Sequence, residues 1–241
     1  MAAAVLGSGL VLAAPAAPAA ATDPIGTRLV LSPYRQDRIV GQRASFGITL
    51  TGNGVRLSGQ PVTFWVRNAS SSTWSKYVTR TTNSYGQTGL AFYVKSSAYV
   101  RATYPGTTKY RATGSITAYV AAFSSYGAAA VSEASRHAGK PYQWGAAGPD
   151  RFDCSGYTLY VWSRFGRSLP HSSQQQYNSL PHVSKSEMRV GDLIFIGSSS
   201  SSIGHVGIYA GNGEMWHSPH SGDVVKKARI YSSSYWVARV A

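Results

Sequence analysis

The chain has 241 residues, 43% hydrophobic and 13% charged, with a formal net charge of +14 and one cysteine. That length suffices for two modest domains with cores of their own, the composition excludes a disordered chain, and the lone cysteine excludes a disulfide framework. The charge is uneven: residues 22–121 carry twelve Lys or Arg against two Asp, and residues 122–241 carry eleven against seven acids. A basic region of this kind suits anionic wall polymers or an anionic surface. Nucleic acid ranks low as a partner, because no motif for it is visible and the chain reads as exported.

Residues 1–21 read as a signal-like export segment. Ala2 to Ala21 is almost wholly Ala, Val, Leu, Gly and Pro, and Ala19, Ala20 and Ala21 before Thr22 form a small-residue cleavage site. The usual basic start is missing, since no Lys or Arg precedes Arg28. A retained anchor is the rival reading, but Pro15 and Pro18 interrupt the apolar run. The expectation is a secreted protein with no membrane span in its mature form.

Residues 22–121 alternate polar and apolar residues over short runs: Arg28–Leu31, Ala44–Leu50, Gly59–Val66, Trp74–Thr81, Gly89–Val94, Ala98–Tyr104 and Ala112–Val120. Turn residues such as Gly52-Asn53-Gly54 and Asn83-Ser84-Tyr85-Gly86 separate them. About seven strands at this spacing predict an all-β antiparallel sandwich. The Gly59–Val62 strand entry, the Thr82–Gly89 turn and the run Tyr99 to Gly106 resemble bacterial immunoglobulin-like modules. No His or Cys lies here, so spacing or wall contact is the expected role, and pairs such as Arg101 with Tyr104 are candidates for a binding face. Residues 122–127 read as an Ala/Ser/Gly linker.

Residues 128–241 open with a predicted helix from Ala128 to His137, ended by Gly139 and Pro141. A loop from Tyr142 to Pro149 leads to Asp153, which stands where a helix N-cap belongs. Tyr157, Tyr160, Val161 and Phe165 recur at helical spacing after it, and Gly166 closes the segment. A short polar helix over Gln174–Tyr177 follows, then strands at Leu193–Ile196, Gly204–Tyr209, Met215–His217, Val224–Tyr231 and Tyr235–Val240. Ser198–Ser202 reads as a flexible loop and Gly211-Asn212-Gly213 as a hairpin turn. Helices first and an antiparallel sheet after give an α+β class.

The sole cysteine, Cys154, falls in the first turn of the predicted helix, where free backbone N–H groups and the helix dipole favour a negative sulfur. The expectation is a thiol poised toward thiolate, as a nucleophile requires. The bland alternative is a small buried hydrophobe, but Asp153, Ser155 and Gly156 flank it. A base and an orienting group are then needed. His205, between Gly204 and Gly207, and His217, on the next strand, meet that need and predict acyl transfer with Cys154 as nucleophile and His205 as base. His217 and His220 with His205 form a weak zinc set, so neither metal nor cofactor is expected. His137, His171 and His182 are expected at the surface or in packing, with His171 alone lining the cleft.

Residues 128–241 resemble the NlpC/p60 family of papain-like cysteine peptidases of the bacterial cell wall. Pro141, Tyr142, Trp144 and Gly145 carry the resemblance, with Gly148-Pro149, Phe152-Asp153-Cys154-Ser155-Gly156, Leu169-Pro170, Gly191-Asp192-Leu193, Gly204 to Tyr209 and His217-Ser218-Pro219. It implies a papain-like fold and cleavage of peptidoglycan stem peptides, commonly between D-γ-glutamyl and a diamino acid. It also implies Cys154, His205 and His217 as the catalytic set, and Tyr142, Asp153 and Ser155 lining the peptide site, with Trp144 beside it. Ala146 stands where a second glycine is common, and His171 where an arginine is common. The alternatives are a catalytically silent wall-binding protein and an acyltransferase on the same scaffold.

Overall fold

The computed structural model describes residues 23–241, so the export-segment reading of residues 1–21 lies outside the described residues. The N-terminal half is β1 (Thr27–Ser32), β2 (Arg35–Ile39), β3 (Arg43–Gly52), β4 (Val55–Arg56), β5 (Pro61–Asn68), β6 (Ser75–Thr81), β7 (Gln87–Tyr93), β8 (Ala98–Tyr104), β9 (Thr113–Gly114) and β10 (Ala118–Phe123). One sheet joins β1, β4 and β7 to β3. The other runs β2-β10-β8-β5-β6, with β9 against β8. Alternation along the strands decides which side chains meet. Ala44, Phe46, Ile48 and Leu50 of β3 face Val62 and Phe64 of β5 and Val100, Ala102 and Tyr104 of β8 in one buried core. This is a two-sheet sandwich. It departs from a purely antiparallel arrangement at one place, where β2 pairs parallel with β10.

Ala121, Ala122 and Phe123 complete β10 and helix α1 (Tyr126–Ser135) begins at once, so only Ser124 and Ser125 separate them where a linker was expected. The helix starts two residues before the predicted Ala128 because Ser125 caps it: its side chain accepts from Ala128 N. The junction is in contact, not free. Gln42 Nε2 donates to Tyr126 Oη at 2.8 Å, and Arg136 pairs with Asp37 at 2.6 Å.

Then follow α2 (Cys154–Ser163), α3 (Ser173–Ser179), β11 (His182–Val183), β12 (Leu193–Ser199), β13 (Ser202–Gly211), β14 (Glu214–His217), β15 (Lys226–Arg229) and β16 (Tyr235–Ala238). The strands form one antiparallel sheet in the order β11-β16-β12-β13-β14-β15. The turn after β13 follows the predicted hairpin signal, with Asn212 and Gly213 both at positive φ. The serine stretch is no open loop: Ser199 pairs with Ser202, and the hairpin tightens around Ser200 and Ser201. Tyr157, Val161 and Trp162 of α2 pack with Leu193, Phe195, Val206 and Ile208 in the core that fixes the helix on the sheet. Among the described residues no helix is long and apolar enough to cross a membrane.

Candidate active site

Asp153 sets the start of α2. Its Oδ1 accepts from Gly156 N at 2.7 Å as the N-cap bond, and from Ser155 Oγ at 3.2 Å. Its Oδ2 accepts from Gly145 N at 2.8 Å, which draws the Tyr142–Pro149 loop against the helix tip. His171 Nε2 lies 3.0 and 2.9 Å from the two carboxylate oxygens. The carboxylate is thus occupied by the protein itself. The close approach of the loop needs Gly156: a Cβ there would stand 2.2 Å from the carbonyl oxygen of Ala146.

The rest of the fold locks this tip in place. Gln176 of α3 is fully buried and donates from Nε2 to the carbonyls of Ser155 (2.9 Å) and Pro170 (2.8 Å), while its Oε1 accepts from Thr158 Oγ1 (2.8 Å). Beyond β14, buried Ser218 donates to the carbonyl of Phe152 at 2.8 Å. The end of the histidine-bearing strand is thereby tied to the residue preceding the cap.

His205 of β13 and His217 of β14 meet in the interior, His205 Nε2 lying 2.9 Å from His217 Nδ1. Gly207 leaves room for this. An added Cβ would lie 2.9 Å from Met215 Sδ and 3.2 Å from His217 Cβ. His205 does not stand on the helix-covered face of β13, where Val206 and Ile208 pack against α2. The sulfur instead lies by the strand backbone, where the N–H of Val206, the neighbour of His205, favours its anion. Tyr231 covers the pair, its ring centroid 6.3 Å from that of His205 and 6.1 Å from that of His217.

The electrostatics correct one expectation. Burial pushes the Cys154 thiol up, and the Asp153 carboxylate adds to this; the backbone N–H groups of Val206 and Ser155 pull the other way and are outweighed. The helix tip alone does not deliver a resting thiolate. Burial lowers His205 to about 3, with His217 and His220 adding, and lowers His217 to about 4, with Lys226 adding. Thiol and imidazoles are therefore neutral at neutral pH. Burial, with Cys154 and Asp153 next, also raises the Tyr142 phenol, and burial and Cys154 raise that of Tyr231.

A cleft of about 250 Å³ opens at the sulfur, lined by Trp144, Asp153, Cys154, Ser155 and His171 with Gly204 at its edge. Of the residues singled out in the sequence, Trp144 (83% exposed), Asp153 and Ser155 thus share one cavity with Cys154, and Tyr142 stands close enough for a thiolate there to raise its phenol. His205 and His217 do not line this cleft. Sequence reasoning missed Gln176 and Tyr231. The first is one of three consecutive glutamines, and the second follows a basic strand, so neither carried a signal. Of the other histidines, His137 is buried against Glu133, Phe152 and Tyr160, and His182 stacks on Tyr177 at 4.0 Å.

Residues 139–241 match the NlpC/P60 family. Over 105 residues the chain is 47% identical to the probable endopeptidase p60 of Listeria monocytogenes, which covers 44% of this chain and 21% of that protein. It is 42% identical over 108 residues to the peptidoglycan endopeptidase RipA of Mycolicibacterium smegmatis, covering 39% and 21%. Among solved structures it is similar to the NlpC/p60 domain of the peptidoglycan hydrolase SagA, with 36% identity over 47% of this chain and 97% of that one and a TM-score of 0.44. The chain spans about a fifth of the length of the first curated relatives it matches.

Proposed function

Because residues 139–241 belong to the NlpC/P60 family, we propose that this protein is a peptidoglycan endopeptidase, hydrolysing an amide bond of the stem peptide through a thioester on Cys154. The supporting observation is a sulfur at a helix tip beside Val206 of β13, with two buried imidazoles 2.9 Å apart on β13 and β14, one of them on the residue next to Val206. With His205 Nε2–H donating to His217 Nδ1, 2.9 Å away, His205 Nδ1 is left as the proton acceptor that the reaction needs. The sulfur attacks the scissile carbonyl carbon as its proton passes to His205, so charge separation arises during the reaction and not before it. The oxyanion forms next to the backbone N–H groups at the start of α2. The imidazolium gives its proton to the departing amine as the C–N bond breaks. Water then attacks the thioester, its proton passing through His205 to the sulfur, and the acid leaves with Cys154 restored.

His217 holds the tautomer and stabilises the transient imidazolium. Tyr142, Ser155 and Trp144 flank the bound peptide, and the bond cleaved is D-γ-glutamyl–diamino acid. The sandwich is an immunoglobulin-like module at residues 22–121 that contacts the wall, the peptidase occupies residues 128–241, and the protein acts outside the cytoplasm. Mass spectrometry of muropeptides after incubation with purified peptidoglycan tests the reading. New free amino and carboxyl ends are expected within the stem peptide, none of them with Cys154→Ala. Release of the same fragments by that variant sinks it. A product carrying a new amide instead of a free acid selects the acyltransferase.

A further inference from the structure

The outer face of the second sandwich sheet carries a lattice of cations on aromatic rings, assembled by strand register. Arg35 of β2 is opposite Tyr119 of β10, Tyr119 opposite Tyr99 of β8, and Tyr99 opposite Arg67 of β5. These four form one row across four strands. The tyrosine centroids are 4.9 Å apart, Arg35 lies 5.2 Å from Tyr119, and Arg67 lies 4.4 Å from Tyr99. The next row sets Arg101 opposite Trp65 and Trp65 opposite Lys76 of β6. Trp74 joins the rows, 5.4 Å from the Arg67 guanidinium and 4.3 Å from that of Arg101. Tyr104 takes no part: it faces the core and is 1% exposed, so the pairing of Arg101 with Tyr104 considered from sequence does not occur.

Charge balance on this face is one-sided. Its one acid, Asp37, lies on the edge strand and is taken by Arg35 and Arg136. Arg67 donates to the carbonyl of Ser71, and among the described residues neither it nor Arg101 or Lys76 has a carboxylate partner. Stacked on rings, Arg67 beyond its bond to Ser71, and Arg101, whose buried Nε has no partner among the described residues, keep N–H groups for an anion and have less freedom left to lose on binding. The same stacking covers the rings, so they are not free platforms for sugars. Two rows of cations running across the strands match a repeating anion on a linear chain.

We propose that this face binds a phosphodiester-linked wall polymer, with Arg67 and Arg101 as its central contacts. The wall as source of the polymer rests on the function proposed above; the anion chemistry does not. The test uses the full chain carrying Cys154→Ala, so that walls stay intact. Binding is measured to soluble inorganic polyphosphate, and to walls before and after acid removal of their phosphodiesters. The expected result is salt-sensitive binding to polyphosphate and to untreated walls, weakened at least about tenfold by Arg67→Gln with Arg101→Gln. Arg28→Gln with Arg43→Gln removes the same charge from the other sheet and should cost less than about twofold. Should the double Gln variant fail to fold, Arg67→Lys with Arg101→Lys keeps the charge but loses the fork, and should bind at least about threefold more weakly. The proposal is overturned if stripped walls bind as well as untreated ones, if the two Gln pairs weaken binding equally, if the Lys pair binds as wild type, or if polyphosphate does not bind. None of these results touches peptide cleavage, which is read separately on soluble muropeptides.

Discussion

The two halves of the chain handle polar side chains in opposite ways. The sandwich keeps Arg67 and Arg101 charged and half-buried on an outer sheet face, stacked on rings. The C-terminal half buries Asp153, Gln176, His205 and His217 and satisfies them with one another or with backbone. Removal from water displaces protonation, as the raised thiol and the lowered imidazoles show. One half is thus suited to hold a charged polymer and the other to move a proton.

Substitutions should separate these two regimes. His205→Gln keeps a polar side chain beside His217 but removes the base. Its turnover of stem peptide should drop about 10³-fold, near 4 kcal/mol, with the melting temperature little changed, as single-turnover rates and calorimetry would report. An active His205→Gln protein would erase the contrast. Gln176→Ala strips hydrogen bonds from the Ser155 and Pro170 carbonyls and leaves a buried gap. A loss of about 3 kcal/mol in urea unfolding is expected, with activity falling as α2 loosens.

A pH effect of intermediate size should follow. His205 and His217 lie below their usual 6.5 in the folded chain, so between about 6.5 and about 3 the unfolded chain holds more protons. Stability is fully present above 6.5 and is lost as pH falls through that window. Melting temperatures from pH 7 to 4 should decline, and His205→Gln should flatten the decline. The smallest effect belongs to the open face. Arg101→Gln should cost under about 1 kcal/mol of stability and leave soluble-muropeptide cleavage unchanged. A larger loss would mean that this face is as integrated as the interior.

Much of the fold was legible because it rests on local pattern. Ala98–Tyr104 alternates at every position, and the strand occupies those residues. Asp153 caps the helix it was expected to cap, and Asn212-Gly213 turns the hairpin. Two readings failed where neighbours intervened. The stretch at 122–127 was read as a linker from its small residues, yet β10 takes its start and α1 its end. The serine run was read as a loop from its composition, yet pairing across the hairpin draws Ser199 and Ser202 into the sheet.

The site divides along the same line. The amino-acid order by itself determined which groups could react: one sulfur after a capping aspartate and two histidines on strands joined by a tight turn. It also determined the alternation that puts Arg67, Tyr99 and Arg101 on the outward side of their strands. Only the tertiary structure decided the register that aligns those side chains, the loop that saturates Asp153, and the 2.9 Å approach of two rings past Gly207. It also decided the state of the sulfur. The helix-tip N–H groups are local and favour the anion, as does the Val206 N–H that the fold brings in, but desolvation is summed over every element packed around Cys154, and here that sum is the larger.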